Sequence, residues 1–94
     1  MSAGREADLR ETQRLKVFRV AQVGVAPATA RCHILNLSRA GALIDCRDGA
    51  APRATVTLAA SGFARDAAVR WREGTRMGVR FHLPLEEQEL LAAL

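Results

Sequence analysis

Two short clusters of polar residues carry side chains that could bind a ligand. Arg10 and Arg14 place two guanidinium groups four residues apart in a polar segment. Asn36, Ser38 and Gly41 form an Asn-x-Ser-x-x-Gly sequence between two apolar runs. A guanidinium group can hold a phosphate through two hydrogen bonds, pair with the O6 and N7 atoms of guanine, or stack on a base. A turn of small polar residues with a glycine lets the backbone approach a ligand closely. Together the clusters predict a site for a small, anionic ligand that contains guanine.

The segments that must position these clusters show the alternation of apolar and polar residues that is typical of β-strands. The predicted strands are residues 15–26, 30–36, 41–46, 54–59, 67–72 and 76–82. Pairs such as Asp-Gly, Ser-Gly and Glu-Gly mark turns between several of them. Five or six short strands at this spacing predict an all-β sandwich or barrel.

The last residues change from strand to helix periodicity. Pro84 suits the first position of a helix. Glu86, Glu87 and Glu89 lie near the same end, where the helix dipole favours negative charge. Leucines recur one turn apart, so residues 84–94 are expected to form a short amphipathic helix. This helix caps an open end of the barrel or packs on a partner.

Composition limits the class of protein. The chain has 94 residues, 49% of them hydrophobic, which is enough for one domain with its own core. Its net charge of +4 favours anionic partners. Thirteen of the 14 basic residues are arginine, which a GC-rich genome also produces. Only three Phe and one Trp are present, so an RNA-binding sheet built from several aromatic rings is not expected.

The sequence offers little for catalysis or metal binding. Cys32, His33, Cys46 and His82 match no short metal-ligand spacing, and neighbouring strand residues point to opposite faces. Ser38 has no convincing partner that would activate it as a nucleophile. Two cysteines are too few for a disulfide-rich scaffold, and there is neither a signal peptide nor an apolar run long enough to span a membrane. A cytoplasmic protein with reduced thiols, no membrane insertion and no metal is expected.

The order of the motifs resembles the PilZ domain. The pattern consists of Arg10 and Arg14, then about twenty residues of strand, then Asn36, Ser38 and Gly41, then Val69 and Trp71, and finally the sequence Gly78-Val79-Arg80-Phe81. The resemblance extends over nearly the whole chain. It implies a single domain with a six-stranded antiparallel β-barrel over residues 14–83. Residues 1–13 would form a flexible arm that carries the arginines, and residues 84–94 a terminal α-helix.

The resemblance also implies a ligand, cyclic di-GMP, and no catalysis. Arg10 and Arg14 would bind phosphate oxygens and the guanine faces and edges. Asn36 would hydrogen-bond a guanine edge, and Ser38 a phosphate or guanine group. Gly41 would allow the turn and the close approach of the ligand. Leucine stands directly before the arginine pair, where many relatives carry another arginine, and this favours a single bound ligand molecule.

Several of these residues also have ordinary structural interpretations. Arg10 and Arg14 could be surface charges that pair with acidic neighbours. Asn, Ser and Gly fill turns in many proteins. Trp71 occupies the same alternate positions as the apolar residues of its strand, so its side chain should point to the same face. This predicts that the indole packs in the core. Arg70 and Arg72 lie on the opposite face of the strand. They could extend a basic surface toward the ligand or a partner, but a solvated face is the preferred interpretation.

The leading functional hypothesis is a cytoplasmic sensor and adaptor that needs no cofactor. It would bind cyclic di-GMP and relay the signal to a protein effector in motility, biofilm or related regulation. The alternative is a PilZ-like protein-interaction module that binds no nucleotide. A basic barrel that binds RNA or DNA is a third hypothesis, and the scarcity of aromatic residues disfavours it.

Overall fold

The computed structural model describes residues 15–25, 27–47 and 54–93, which form six strands and one helix. The strands are β1 (Leu15–Val25), β2 (Ala28–Leu37), β3 (Gly41–Asp45), β4 (Thr55–Ala60), β5 (Phe63–Glu73) and β6 (Arg76–Phe81), and the helix is α1 (Glu87–Ala92). Neighbouring strands pair antiparallel and close into a barrel in the order β1-β2-β3-β6-β5-β4. The predicted six-stranded antiparallel barrel with a short terminal helix is confirmed.

The barrel interior holds one continuous hydrophobic core. Every strand contributes buried side chains to it, as does the segment before the helix, and the largest fully buried ones are Ile34, Leu37, Ile44, Leu58, Met77, Leu85 and Val69. Burying an aliphatic side chain of this size contributes about 1.5–3 kcal/mol. The alternation seen in the sequence therefore places most apolar residues inside, while exceptions such as Phe18 and Trp71 are exposed on the outer face.

The helix packs against its own barrel. Leu85 and Ala93, which flank α1, are buried in the core. The guanidinium of Arg65 forms an ion pair with Glu89 at 2.5 Å. Arg19 on β1 donates its Nε hydrogen to the carbonyl oxygen of Ala93 at 2.9 Å. Of the two placements that the sequence left open, the structure therefore has the helix on the barrel of the same chain.

Irregular pairing changes the direction of side chains on the outer face. The described strands shift register between Lys16 and Arg19 in β1, between Ile34 and Asn36 in β2, and between Val69 and Trp71 in β5. An extra residue in one strand reverses the alternation beyond it. Ile34 and Val69 face the core, but Asn36 is only half-buried and Trp71 is 44% exposed.

The prediction that Trp71 packs in the core is therefore wrong. The physical reason is the extra residue in β5, Arg70, which lies between two consecutive pairs of the β5–β6 ladder. Because Val69 points inward, the residue two positions later would also point inward in a regular strand. The bulge reverses this and turns the indole to the outer face.

Candidate functional site

The turn between β2 and β3 is organised by the side chain of Ser38. The Ser38 hydroxyl accepts hydrogen bonds from the backbone N–H groups of Ala40 and Gly41, both at 3.2 Å, and donates to the Gly41 carbonyl oxygen at 3.3 Å. A hydroxyl has one donor and two acceptor positions, so these contacts use all of them. Ser38 is also 5% exposed. In this structure the hydroxyl therefore maintains the shape of the turn, and its predicted contact with a ligand stays a prediction.

The same turn is connected by hydrogen bonds to the segment that leads into α1. The Leu85 N–H donates to the Arg39 carbonyl oxygen at 2.8 Å, and the Arg39 Nε hydrogen donates to the Leu85 carbonyl oxygen at 2.8 Å. The Phe81 N–H donates to the Ala40 carbonyl oxygen at 2.8 Å. Because Leu85 is fully buried, these bonds hold the turn against the core.

Gly41 is the first residue of β3 and packs against the backbone of β6. Its Cα is opposite that of Arg80 in the β3–β6 ladder. A Cβ atom at position 41 would collide with the carbonyl oxygen of Val79. Glycine is therefore required by the packing of the two strands, and this role is compatible with the predicted one of admitting a ligand.

Asn36 belongs to a row of residues that crosses the outer face of the barrel. The register of four neighbouring strand pairs places Lys16, Asn36, Leu43, Gly78 and Trp71 side by side in that order. At one end of the row the indole of Trp71 lies over Gly78, where a Cβ atom would collide with the indole ring. The row thus combines an ammonium group, an amide, an aliphatic side chain and an aromatic ring that is packed on a glycine.

An open groove of about 370 Å³ lies between this row and the Ser38 turn. Its lining includes Ser38, Gly41, Gly78, the indole of Trp71 and the exposed side chains of Arg70 and Arg80. None of the described residues that line it is acidic. A positive groove with a flat aromatic wall and glycine in its floor suits a ligand with phosphates and a planar base.

The structure brings part of the predicted site together. Ser38 and Gly41 line the groove, and Asn36 lies beside it on β2, next to Leu43, which also lines the groove. Arg10 and Arg14 lie outside the described residues. Among the described residues, no group of three or more His, Cys, Asp or Glu side chains could hold a metal ion.

Sequence reasoning did not assign Arg70, Trp71, Gly78 and Arg80 to the site. The Val-x-Trp and Gly-Val-Arg-Phe patterns contain all four, so the family pattern pointed to this segment without giving their roles. The alternation of β5 placed Trp71 in the core, and for Arg70 a solvated face was preferred over a basic surface that extends toward the ligand. Only the bulge in β5 reveals that both line the groove.

The PilZ domain model matches residues 8–94, so this chain belongs to the PilZ domain family. The fold also resembles the crystal structure of the Legionella uncharacterized protein Lpg0364, with a TM-score of 0.50 and 19% sequence identity over 81% of this chain and 80% of that chain. Comparison with curated protein sequences gives no significant match.

Membership of this family fixes a general class of function. PilZ domains generally bind cyclic di-GMP and act as binding or adaptor modules rather than as enzymes. In the part of the chain that the structure describes, no helix has the length and apolar character needed to cross a membrane.

Proposed function

We propose that this chain is a cytoplasmic, non-enzymatic sensor that binds one molecule of cyclic di-GMP and passes the signal to a protein partner. The observation that carries the proposal is the groove beside the Ser38 turn. There the indole of Trp71 stands over Gly78, and Arg70 and Arg80 supply positive charge without an acidic residue in the described lining. These groups match the two kinds of surface that the ligand presents, which are flat guanines and anionic phosphates.

One guanine of the ligand stacks on the indole of Trp71. Stacking of a base on an aromatic side chain contributes about 1–3 kcal/mol. Gly41 and the backbone beside the indole form the floor of the groove, and in the proposal the sugar–phosphate ring packs against this floor. Arg70 and Arg80 flank this floor and neutralise phosphate charge.

The predicted arginine pair completes the site. Arg14 is covalently joined to Leu15, and Leu15 pairs with Leu37, which directly precedes Ser38. This connection supports the proposal that Arg14, and Arg10 four residues before it, bind the phosphates and guanine at the same end of the barrel. Asn36 hydrogen-bonds a guanine edge from the neighbouring strand.

A route from the ligand to a partner starts at the turn. The paired hydrogen bonds between Arg39 and Leu85 connect the turn to the segment that begins α1. Leu91 on that helix is 59% exposed and therefore available to another protein. In the proposal, ligand binding alters the surface around α1, and an effector recognises that altered surface. Effectors in motility or biofilm regulation would fit this role.

Calorimetric titration with cyclic di-GMP tests the proposal, with GTP and cyclic di-AMP as controls. We expect saturable binding of cyclic di-GMP alone, with one ligand per chain and a dissociation constant in the micromolar range, which corresponds to about −8 kcal/mol. Arg14→Ala should weaken binding by about 2–5 kcal/mol, because it removes a charge-assisted contact to a partly buried anion. Arg47→Ala, at an exposed residue two positions after the end of β3, is the matched control.

The possible results separate the proposal from its alternative. Quenching of Trp71 fluorescence should follow the same binding curve, since Trp71 is the only tryptophan. Absence of heat and of any shift in melting temperature at high ligand concentration would instead support a nucleotide-independent interaction module. Wild-type affinity in Arg14→Ala would show that the arginine pair is assigned wrongly.

A further inference from the structure

The two cysteines of the chain lie opposite each other on neighbouring strands. Asp45, the last residue of β3, pairs with His33 on β2. Because the strands run antiparallel, the next pair along this ladder consists of Cys46 and Cys32. Both side chains are 1% exposed and belong to the hydrophobic core. The two thiols therefore lie side by side on the inner face of the barrel.

The backbone of Cys46 shows what kind of pair this is. Its N–H donates to the carbonyl oxygen of Thr75, directly before β6, at 2.7 Å. In an antiparallel sheet the N–H and C=O groups of one residue point to the same side, so those of Cys46 point away from β2. Opposed residues without mutual backbone hydrogen bonds have Cα atoms about 4.5 Å apart. This spacing lies within the range of about 4.4–6.8 Å that a disulfide requires.

The thiol of Cys46 also points toward β2. It donates to the carbonyl oxygen of Arg31, 3.7 Å from its Sγ, and Arg31 is bonded directly to Cys32. The nearby Cys46 contributes to the raised pKa of Cys32, which requires the two sulfur atoms to be close. Both cysteines are free in this structure. A bond between them therefore needs no rearrangement of the two strands.

We propose that Cys32 and Cys46 form a reversible intramolecular disulfide when the protein meets hydrogen peroxide. The bond closes a loop from residue 32 to residue 46, which contains the entire turn between β2 and β3. Oxidation thus fixes the hairpin that carries Asn36, Ser38 and Gly41, at the end opposite the turn. Disulfides of cytosolic proteins are usually transient and sense the redox state, and this one is assigned to that class.

The reaction starts at Cys46. Burial raises the pKa of Cys32 to about 12, so the Cys32 thiol is a poor first nucleophile. Cys46 lies just beyond the last residue of β3, next to the exposed Arg47, and the ends of elements open most readily. Its thiolate attacks the peroxide, so that an S–O bond forms and the O–O bond breaks. The departing hydroxide takes up a proton and becomes water.

Cys32 completes the reaction. Its sulfur attacks the sulfur of the Cys46 sulfenic acid, so that the S–S bond forms and the S–O bond breaks. The departing hydroxide takes the proton of the Cys32 thiol and leaves as a second water. Two thiols have then given two electrons to one peroxide molecule. Because the attack comes from the neighbouring strand, Cys32 needs no exposure to solvent.

Mass spectrometry of tryptic peptides tests the proposal. Trypsin cleaves after arginine, and the arginines at positions 31, 39 and 47 place the two cysteines in separate peptides, 32–39 and 40–47. The native full-length protein is treated with hydrogen peroxide and digested without reductant. We expect these two peptides to be joined, with the loss of two hydrogen atoms, and to separate after reduction with dithiothreitol.

Two matched variants test the order of the steps. After peroxide treatment, Cys32→Ala should stop at the sulfenic acid of Cys46, which dimedone traps. Cys46→Ala should keep Cys32 as a free thiol and give no dimedone adduct. An adduct in Cys46→Ala but not in Cys32→Ala would overturn the assignment of Cys46 as the first nucleophile. Melting curves of the reduced variants verify that the barrel is intact, and the joined peptide of the wild type decides the proposal even if a variant folds poorly.

The stability of the oxidised protein gives a second measurement. Its melting temperature should exceed that of the reduced protein by about 10 °C or more, because the bond restricts the unfolded chain. Neither single-cysteine variant should show this increase. Survival of both thiols in the native wild type, or bonds only between different molecules, would overturn the proposal. None of these results depends on cyclic di-GMP, so such a failure would leave the proposed function standing.

Discussion

The indole of Trp71 on β5 lies against the backbone of Gly78 on β6, so closely that a Cβ atom at position 78 would collide with the ring. The two residues are partners in the β5–β6 ladder immediately after the bulge at Arg70. An extra residue in one strand and a missing side chain in the next therefore produce together the flat aromatic wall of the groove. Neither feature would be sufficient alone.

Gly78→Ala should displace the indole and weaken cyclic di-GMP binding about tenfold, the size of one stacking contact. The emission spectrum of Trp71 in the ligand-free protein should change as well. A double-mutant cycle with Trp71→Ala identifies the cause. Gly78→Ala should have little further effect on affinity once the indole is absent. An equally large effect in both backgrounds would mean that the methyl group obstructs the ligand directly.

How far the sequence predicts this fold and site depends on whether the alternation within a strand is regular. Leu58 and Val79 occupy regular stretches, and both are buried as their positions indicate. Trp71 follows a bulge, and β5 itself contains no glycine or proline that would signal one. A bulge is stabilised by pairing with the neighbouring strand, so residues far along the chain determine it. Periodicity within a single strand cannot contain that information.

The turn at Ser38 illustrates the opposite case. Serine and glycine three residues apart predict a turn because a short hydroxyl side chain bonds to the nearby backbone, and the structure has these bonds. The residues of the turn were therefore sufficient to predict its structure. The hydrogen bonds between Arg39 and Leu85 could not be predicted in the same way, because 46 positions separate the two residues.

Ser38→Ala should lower the free energy of unfolding by about 1–3 kcal/mol. The substitution removes the hydroxyl and leaves the N–H groups of Ala40 and Gly41 without their acceptor in a buried turn. Urea denaturation measures the change, and Ser61→Ala, in an exposed turn, is the control. Unchanged stability together with lost ligand binding would instead make the hydroxyl a direct ligand contact.

Attachment of α1 to the barrel should weaken in acid. The backbone N–H of Glu86 and the guanidinium of Arg65 both hold the pKa of Glu89 below its usual range. A lowered pKa in the folded state means that the carboxylate stabilises the fold above its ordinary pKa, near 4.3. That contribution is lost as the pH falls through the lowered value.

Hydrogen exchange of the helix amides between about pH 5 and 3 measures this effect. Protection of α1 should fall before protection of the barrel strands. Glu89→Gln should have low protection of α1 at both ends of the range, because it cannot form the ion pair. Identical pH profiles for wild type and Glu89→Gln would exclude Glu89 as the group responsible.

Cys32 should be unreactive in the folded protein and should make the fold sensitive to alkaline pH. Burial, followed by the effect of the nearby Cys46, raises the pKa of the Cys32 thiol to about 12. The thiolate is the reactive form, so iodoacetamide at pH 8 should label Cys32 only after unfolding.

Because the pKa of Cys32 is raised in the folded state, the contribution of the neutral thiol to stability is complete below the ordinary thiol pKa of about 8.5 and is lost as the pH rises toward 12. Cys32→Ala, compared by urea denaturation at pH 8 and 10.5, should therefore have a smaller loss of stability with pH than the wild type. Equal losses in the two proteins would assign the alkaline sensitivity to other groups, and rapid labelling of the native wild type would show that the barrel opens at β2.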